Sequence, residues 1–159
     1  MWTTLRFFQL LGLSVLLGGT SYFSFIVAPT LFRGLPREQA GDIVSLLFPG
    51  YYLLSAIAIA VTLAASAFLF WREGAAARSS LASIILLGVM LIAMLYAGQV
   101  ITPRAHQLKE ESRIAQETPR RAEIDGEFNR LHRLAVRLNG FVLILALVLL
   151  GMLSSRLRI

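Results

Sequence analysis

Cysteine is absent from the 159 residues, so disulfides, thiolate zinc sites, iron–sulfur clusters and cysteine nucleophiles are excluded. Charge is missing from long stretches. No Asp, Glu, Lys or Arg occurs from Phe7 to Phe32, from Ile43 to Trp71, from Ser79 to Pro103, or from Leu138 to Ser155. Without a carboxylate in those runs, a carrier coupled to protons or cations through a midplane acid is disfavoured. The runs do not alternate apolar with polar residues, which argues against a membrane β-barrel. They also show no clear internal repeat. Only two histidines are present, and they lack the H-x-x-H or H-x-x-x-H spacing of a helical metal site. The expectation is therefore no metal, no haem and no other cofactor.

What remains is hydrocarbon. The chain is 57% hydrophobic and 15% charged, and each uncharged run is close to the roughly 20 residues that cross a bilayer as a helix. The expected fold class is an all-α membrane protein, a four-transmembrane-helix bundle in one integral-membrane domain covering residues 1–159. The spans fall near 5–32, 51–71, 81–102 and 134–153. The first run is longer than a signal-peptide core and has no prompt A-x-A site, so it reads as a span. The net charge of +6 comes from bases flanking the spans, not from a basic stripe interleaved with stacking aromatics. That pattern suits a lipid bilayer, not nucleic acid. It leaves room for a homo-oligomer or a membrane partner. The expected location is a bacterial inner membrane. Raw count favours the side of the first and third loops, which holds ten of the fifteen Lys and Arg. Arg6, Arg72, Arg78, Arg156 and Arg158, however, crowd short flanks near the span ends, which argues for both termini in the cytoplasm.

Within the first span, Pro29 frees the carbonyl of Phe25, and Thr20, Ser21 or Ser24 is expected to satisfy it. Gly12, Gly18 and Gly19 offer a small-residue surface for close helix contact. Next comes "LFRGLPREQAGDIVSLLFPGYY" (31–52). Ala40, Ile43, Val44 and Leu47 fall at i, i+3, i+4, i+7, which predicts a short interfacial amphipathic helix over 37–48. Pro49-Gly50 would end it, and Tyr51 and Tyr52 would open the second span. "REGAAAR" (72–78) reads as a tight turn. The third span ends at Pro103, followed by an extramembrane helical region over 104–133. Thr118-Pro119 looks like a helix cap and first-turn proline. In the last helix Ile124, Phe128, Leu131, Ala135, Leu138 and Val142 form an apolar seam. Asn129, His132, Val136 and Asn139 lie one step round it, and Arg130, Arg133 and Arg137 one step further.

These motifs carry a resemblance. Leu31-Phe32, Leu35-Pro36-Arg37, Leu47-Phe48-Pro49 and Pro103-Arg104, with Phe128, His132 and Asn139, resemble the transmembrane protein 205-like family (domain of unknown function 4149). The resemblance implies a small four-span membrane protein whose biochemical function is not established. The family is also distantly similar to four-helix copper-resistance and haem-handling membrane proteins, but this chain has no histidine in its first span.

Four spans put the first and third loops on one membrane face. Arg33, Gln99, Arg104, His106, His132 and Asn139 should then converge there as a candidate polar pocket. Tyr96, Gln99 and His106 share a side of the third span. The pocket would take a small polar or anionic ligand, with arginines as the binding charges. The plainer reading of the same residues is helix caps and interhelical hydrogen bonds. Asn139 is expected to be buried and bonded to the first or third span, with His132 beside Arg33 or Arg104. Met90 and Met94, at i, i+4, could offer thioethers to a soft metal but suit a core better. No catalytic residues stand out, so the expectation is a non-enzymatic binding protein. Its rivals are an accessory protein docking a partner through its third loop, and a haem- or metal-binding protein.

Overall fold

A computed structural model describes residues 2–73, 78–115 and 119–155, and among these every regular element is helical. The first helix covers residues 2–34 as Trp2–Tyr22, a π turn Phe23–Val27, and Ala28–Gly34. The second is Arg37–Glu73. The third covers residues 78–114 as Arg78–Tyr96, a π turn Ala97–Ile101, and Thr102–Ile114. The fourth is Pro119–Ser154. All four are long and apolar enough to cross a membrane. The "REGAAAR" turn, Thr118 and the basic end of the chain lie wholly or partly outside the described residues.

The helices exceed what a bilayer needs. The second has 37 residues, about 55 Å at 1.5 Å per residue, against a hydrocarbon core of roughly 30 Å. The surplus is charged and falls at one end: the start of the second helix, the end of the third and the start of the fourth. Leu35 is extended (φ −130°, ψ 155°), as a residue before proline prefers. Its two-residue link to Arg37 makes the first two helices antiparallel neighbours and the most extensively packed pair.

The separate interfacial helix over 37–48 is not present. Residues 37–73 form one helix with Pro49 inside it. Of the four residues at amphipathic spacing, Ala40 and Val44 are buried, while Ile43 and Leu47 stay exposed. An interior proline costs about 3 kcal/mol. Here packing on both sides of it offsets that cost. Phe48, before the proline, and Tyr51 and Tyr52, after it, join Phe23 in one aromatic cluster, with Phe23 and Tyr51 stacked at 4.7 Å. Ending the helix at Pro49 would break that cluster.

The third helix also runs past its proline. A proline ring collides with the carbonyl four residues back. At both Pro29 and Pro103 the helix answers with a π turn directly upstream, where the Ala28 N–H bonds Phe23 O and the Thr102 N–H bonds Ala97 O. Thr102 adds its hydroxyl, donating to Ala97 O at 2.9 Å. Thr20 instead faces the Tyr51 hydroxyl at 3.4 Å.

The core runs through all four helices, with Leu13, Leu16, Ile59, Leu87, Met90, Met94, Val142 and Leu149 essentially closed to solvent. The seam of the fourth helix faces inward: Ile124, Ala135 and Val142 are buried, and Phe128, Leu131 and Leu138 half-buried. The first and second helices meet most closely at Gly12, where a Cβ would lie 2.6 Å from Ala58 O. Gly18 and Gly19 have nothing within 4 Å of such an atom. Near Gly12, the Gln9 amide donates to Ser66 Oγ at 2.8 Å in the buried interior. The outer surface is hydrocarbon: Phe25, Leu46, Leu53 and Ile92 are all more than 60% exposed. In water such a surface would associate; in a bilayer it is solvated.

Candidate functional site

The charged extensions hold one another. Asp42 of the second helix accepts from Arg113 Nη2 of the third at 2.6 Å and forms an ion pair with Lys109 Nζ at the same distance. Lys109 and Arg113 are four residues apart, one helical turn, so both reach the same carboxylate. The third and fourth helices join through Ser112 Oγ, which donates to Asp125 Oδ1 at 2.7 Å, and through Arg104, which donates to Glu127 at 3.1–3.2 Å. The Lys109 hydrogen bond, then the charges of Lys109 and Arg113, hold the Asp42 carboxyl below its ordinary value of 3.8 against a smaller opposing loss of water. Asp42 lies outside the uncharged spanning runs, and this cluster is a polar collar on them.

Under the collar lies a half-open cleft of about 750 Å³. Phe32 of the first helix and Phe128 and His132 of the fourth are among its lining residues. Val44, Phe48 and Leu108 give it an apolar lining, and Arg37, Lys109, Arg113, Arg121, Asn129 and the carboxylates Glu38 and Asp125 line its polar part. Lys109, Arg113 and Arg121 each have a carboxylate within 4.0 Å. Arg37 is in none of the ion pairs among the described residues, which leaves its guanidinium available. His132 is stacked on Phe128 at 6.4 Å with their rings nearly parallel. Loss of water, then the charges of Arg37 and Arg133, push its imidazole below the ordinary 6.5.

A crevice of about 30 Å³ continues inward, lined by Ser45, Phe48, Tyr52, Thr102, His106 and His132 among others. That is room for about one water. Tyr52 is buried, and the Asn139 amide stands beside its hydroxyl. Neither the hydroxyl nor Asn139 Oδ1 completes a hydrogen bond of good geometry. Gly98 lets the third helix reach this place: a Cβ there would lie 2.9 Å from the Tyr52 Cβ.

Of the six expected pocket residues, the structure brings His106 and His132 to one crevice and buries Asn139 near it. Asn139 meets the second helix through Tyr52, not the first or third. The arginine acting on His132 from another helix is Arg37, not Arg33 or Arg104. Arg33, Gln99 and Arg104 line neither the cleft nor the crevice. Arg104 is engaged by Glu127 and, at 3.9 Å, by Glu111. Gln99 is exposed on the π turn, and Arg33 is exposed at the end of the first helix. The sequence reading did not assign Arg37, Phe48, Tyr52, Lys109 or Arg113 to the pocket. The available signal was the one-turn spacing of Lys109 and Arg113 opposite a lone Asp42. Among the described residues no three His, Asp or Glu side chains gather as a metal site. Met90 and Met94 are core.

Four long apolar helices with a hydrocarbon exterior define a multi-pass membrane protein. The chain belongs to the family described as domain of unknown function DUF4149, whose sequence pattern matches residues 11–113. The matched part runs from within the first helix to near the end of the third, so His132 and Asn139 lie beyond it. An uncharacterized protein of Aquifex aeolicus (strain VF5) is 39% identical over 98 residues, covering 61% of this chain and 66% of that protein. The chain thus spans a little under two thirds of that relative's length. No solved structure matches.

Proposed function

We propose that the protein binds a small polar or anionic group, either a solute or a lipid headgroup, in the cleft where the charged extensions leave the bilayer. The observation that carries this is the cleft of about 750 Å³ with Arg37, which has no ion-pair partner among the described residues, on its wall. Ligand sites combine an apolar interior with a few convergent polar groups. A guanidinium left free beside three neutralised cations suits a phosphate or carboxylate, which it can grip bidentately. The His132 imidazole and the Asn129 amide add hydrogen-bonding groups beside it. The setting we propose is a bacterial inner membrane with both termini cytoplasmic, in a protein of the transmembrane protein 205-like kind.

The test is thermal unfolding of detergent-solubilised protein against a panel of anionic and zwitterionic headgroup compounds and short-chain lipids. At least one anionic compound should raise the midpoint of the natural protein and act less on Arg37→Gln. A panel with no effect, or with equal effects on both proteins, contradicts the reading.

A further inference from the structure

We infer that the occupant of this cleft is an anionic phospholipid, taken sideways from the bilayer between the first and fourth helices; the inference rests on the binding reading above. Three observations support it.

The first is where the cleft opens. Trp2–Tyr22 of the first helix packs on both the second and the fourth helix, and its Ala28–Gly34 part packs on the second. The π turn Phe23–Val27 and Pro29 lie where extensive packing on the fourth helix ends, and both π turns and prolines redirect a helix. Beyond that point the first helix has no extensive packing on the fourth. The first helix lines the cleft with Phe32, and the fourth lines it with Phe128 and His132 among others. A cleft between two spans at the end of the apolar run faces lipid as well as water.

The second is the apolar lining. Phe32, Val44, Phe48, Leu108 and Phe128 are hydrocarbon. Phe48 also belongs to the aromatic cluster that continues inward through Tyr52. A small aqueous solute would leave this surface unused. An acyl chain would cover it and take that surface out of contact with water.

The third is charge. Lys109 and Arg113 share Asp42, and Arg121 lies 4.0 Å from Asp125. Arg37 remains as an unneutralised cation at the rim. A head with a phosphate and no cation of its own matches it. A choline head would bring a second cation toward Arg37 and the nearby Arg133.

The experiment uses the full chain in nanodiscs, released for native mass spectrometry, with a parallel thermal titration in neutral detergent. The probes are phosphatidylglycerol, phosphatidylcholine and free glycerol phosphate. We expect one phosphatidylglycerol retained per chain, with phosphatidylcholine lost. Arg37→Gln should weaken phosphatidylglycerol about tenfold, as for loss of one charge-assisted hydrogen bond. Arg37 is exposed and outside the ion pairs, so the variant should keep its fold, checked by an unchanged midpoint without lipid. Phe32→Ser at the rim should weaken the long-chain lipid severalfold through the lost chain contact. Equal retention of both lipids, or unaltered affinity in Arg37→Gln, overturns the inference. Glycerol phosphate binding as well as the lipid overturns it too, while leaving solute binding intact. No binding by any probe overturns the inference and removes phosphate-bearing groups from the broader reading.

Discussion

Replacing Gly12 with alanine adds one methyl group where the first and second helices cross. That carbon would lie 2.6 Å from the Ala58 carbonyl oxygen, and also against Thr62 Oγ1. Ordinary contact begins near 3.4 Å, so the helices must separate by several tenths of an ångström. Thr62 has little freedom to turn away, because its hydroxyl donates to Ala58 O at 2.8 Å. Overpacking of this kind costs about 1–3 kcal/mol. Alanine's better helix propensity returns roughly 0.5–1 kcal/mol. The expected net loss is about 1–2 kcal/mol, or roughly five- to thirtyfold in the folded-to-unfolded ratio. Gln9 lies one turn away and donates to Ser66, so the separation should also stretch that bond. Gly12→Ala should then cost less in a Gln9→Leu background. The assay is unfolding by sodium dodecyl sulfate in mixed micelles, followed by circular dichroism. Gly18→Ala is the control, since nothing lies within 4 Å of its added carbon; it should stay within about 0.5 kcal/mol. Equal midpoints for the two variants would refute the close approach of these helices.

Three further predictions concern the site and its collar. Tyr52→Phe and Asn139→Leu should each change stability, with a coupling of about 0.6–1.7 kcal/mol in a double-mutant cycle; strict additivity would mean that the two groups do not interact. Asp42 has its folded pKa depressed, so its stabilising contribution is present above the unfolded value and is lost as pH falls through 3.8 toward the folded one. Asp42→Asn should abolish that acid-side loss and weaken the salt dependence of the unfolding midpoint, and an unaltered acid profile would show that Asp42 is not held by Lys109 and Arg113. Gly98→Val should destabilise by about 1–3 kcal/mol, because its Cβ meets the Tyr52 side chain at 2.9 Å; a midpoint equal to that of the natural protein would argue against the close contact there.

The four helices were legible because a bilayer permits few alternatives: long uncharged runs must satisfy their own backbones. The seam from Ile124 to Val142 was legible for a related reason, since its residues recur at the helix period. The continuity of the second helix was not. It depends on Phe23 stacking on Tyr51, and local propensity at Pro49-Gly50 says nothing of a partner on another helix. The site was only partly visible. Which arginines are free depends on where carboxylates fall in space. Asp42 is 71 residues from Arg113, to which it is bound, and Arg104 is lost to Glu127 across 23 residues. Gln99 sits on a π turn, where the ordinary helix period no longer gives its direction. Asn139 was expected to be buried because a lipid-facing amide is costly, but its neighbour Tyr52 follows from helix rotation, which no residue spacing reveals.

The cleft itself is best tested by its accessibility. Because the chain has no cysteine, Asn129→Cys introduces a single thiol on the cleft wall. Its reaction with a water-soluble maleimide can then be timed in nanodiscs of phosphatidylcholine alone or with added phosphatidylglycerol. A thiol that reacts readily in the first and is protected several-fold in the second, with protection lost in Arg37→Gln, is the result expected of an occupied lipid site. Equal rates in both membranes, with or without Arg37, would contradict it.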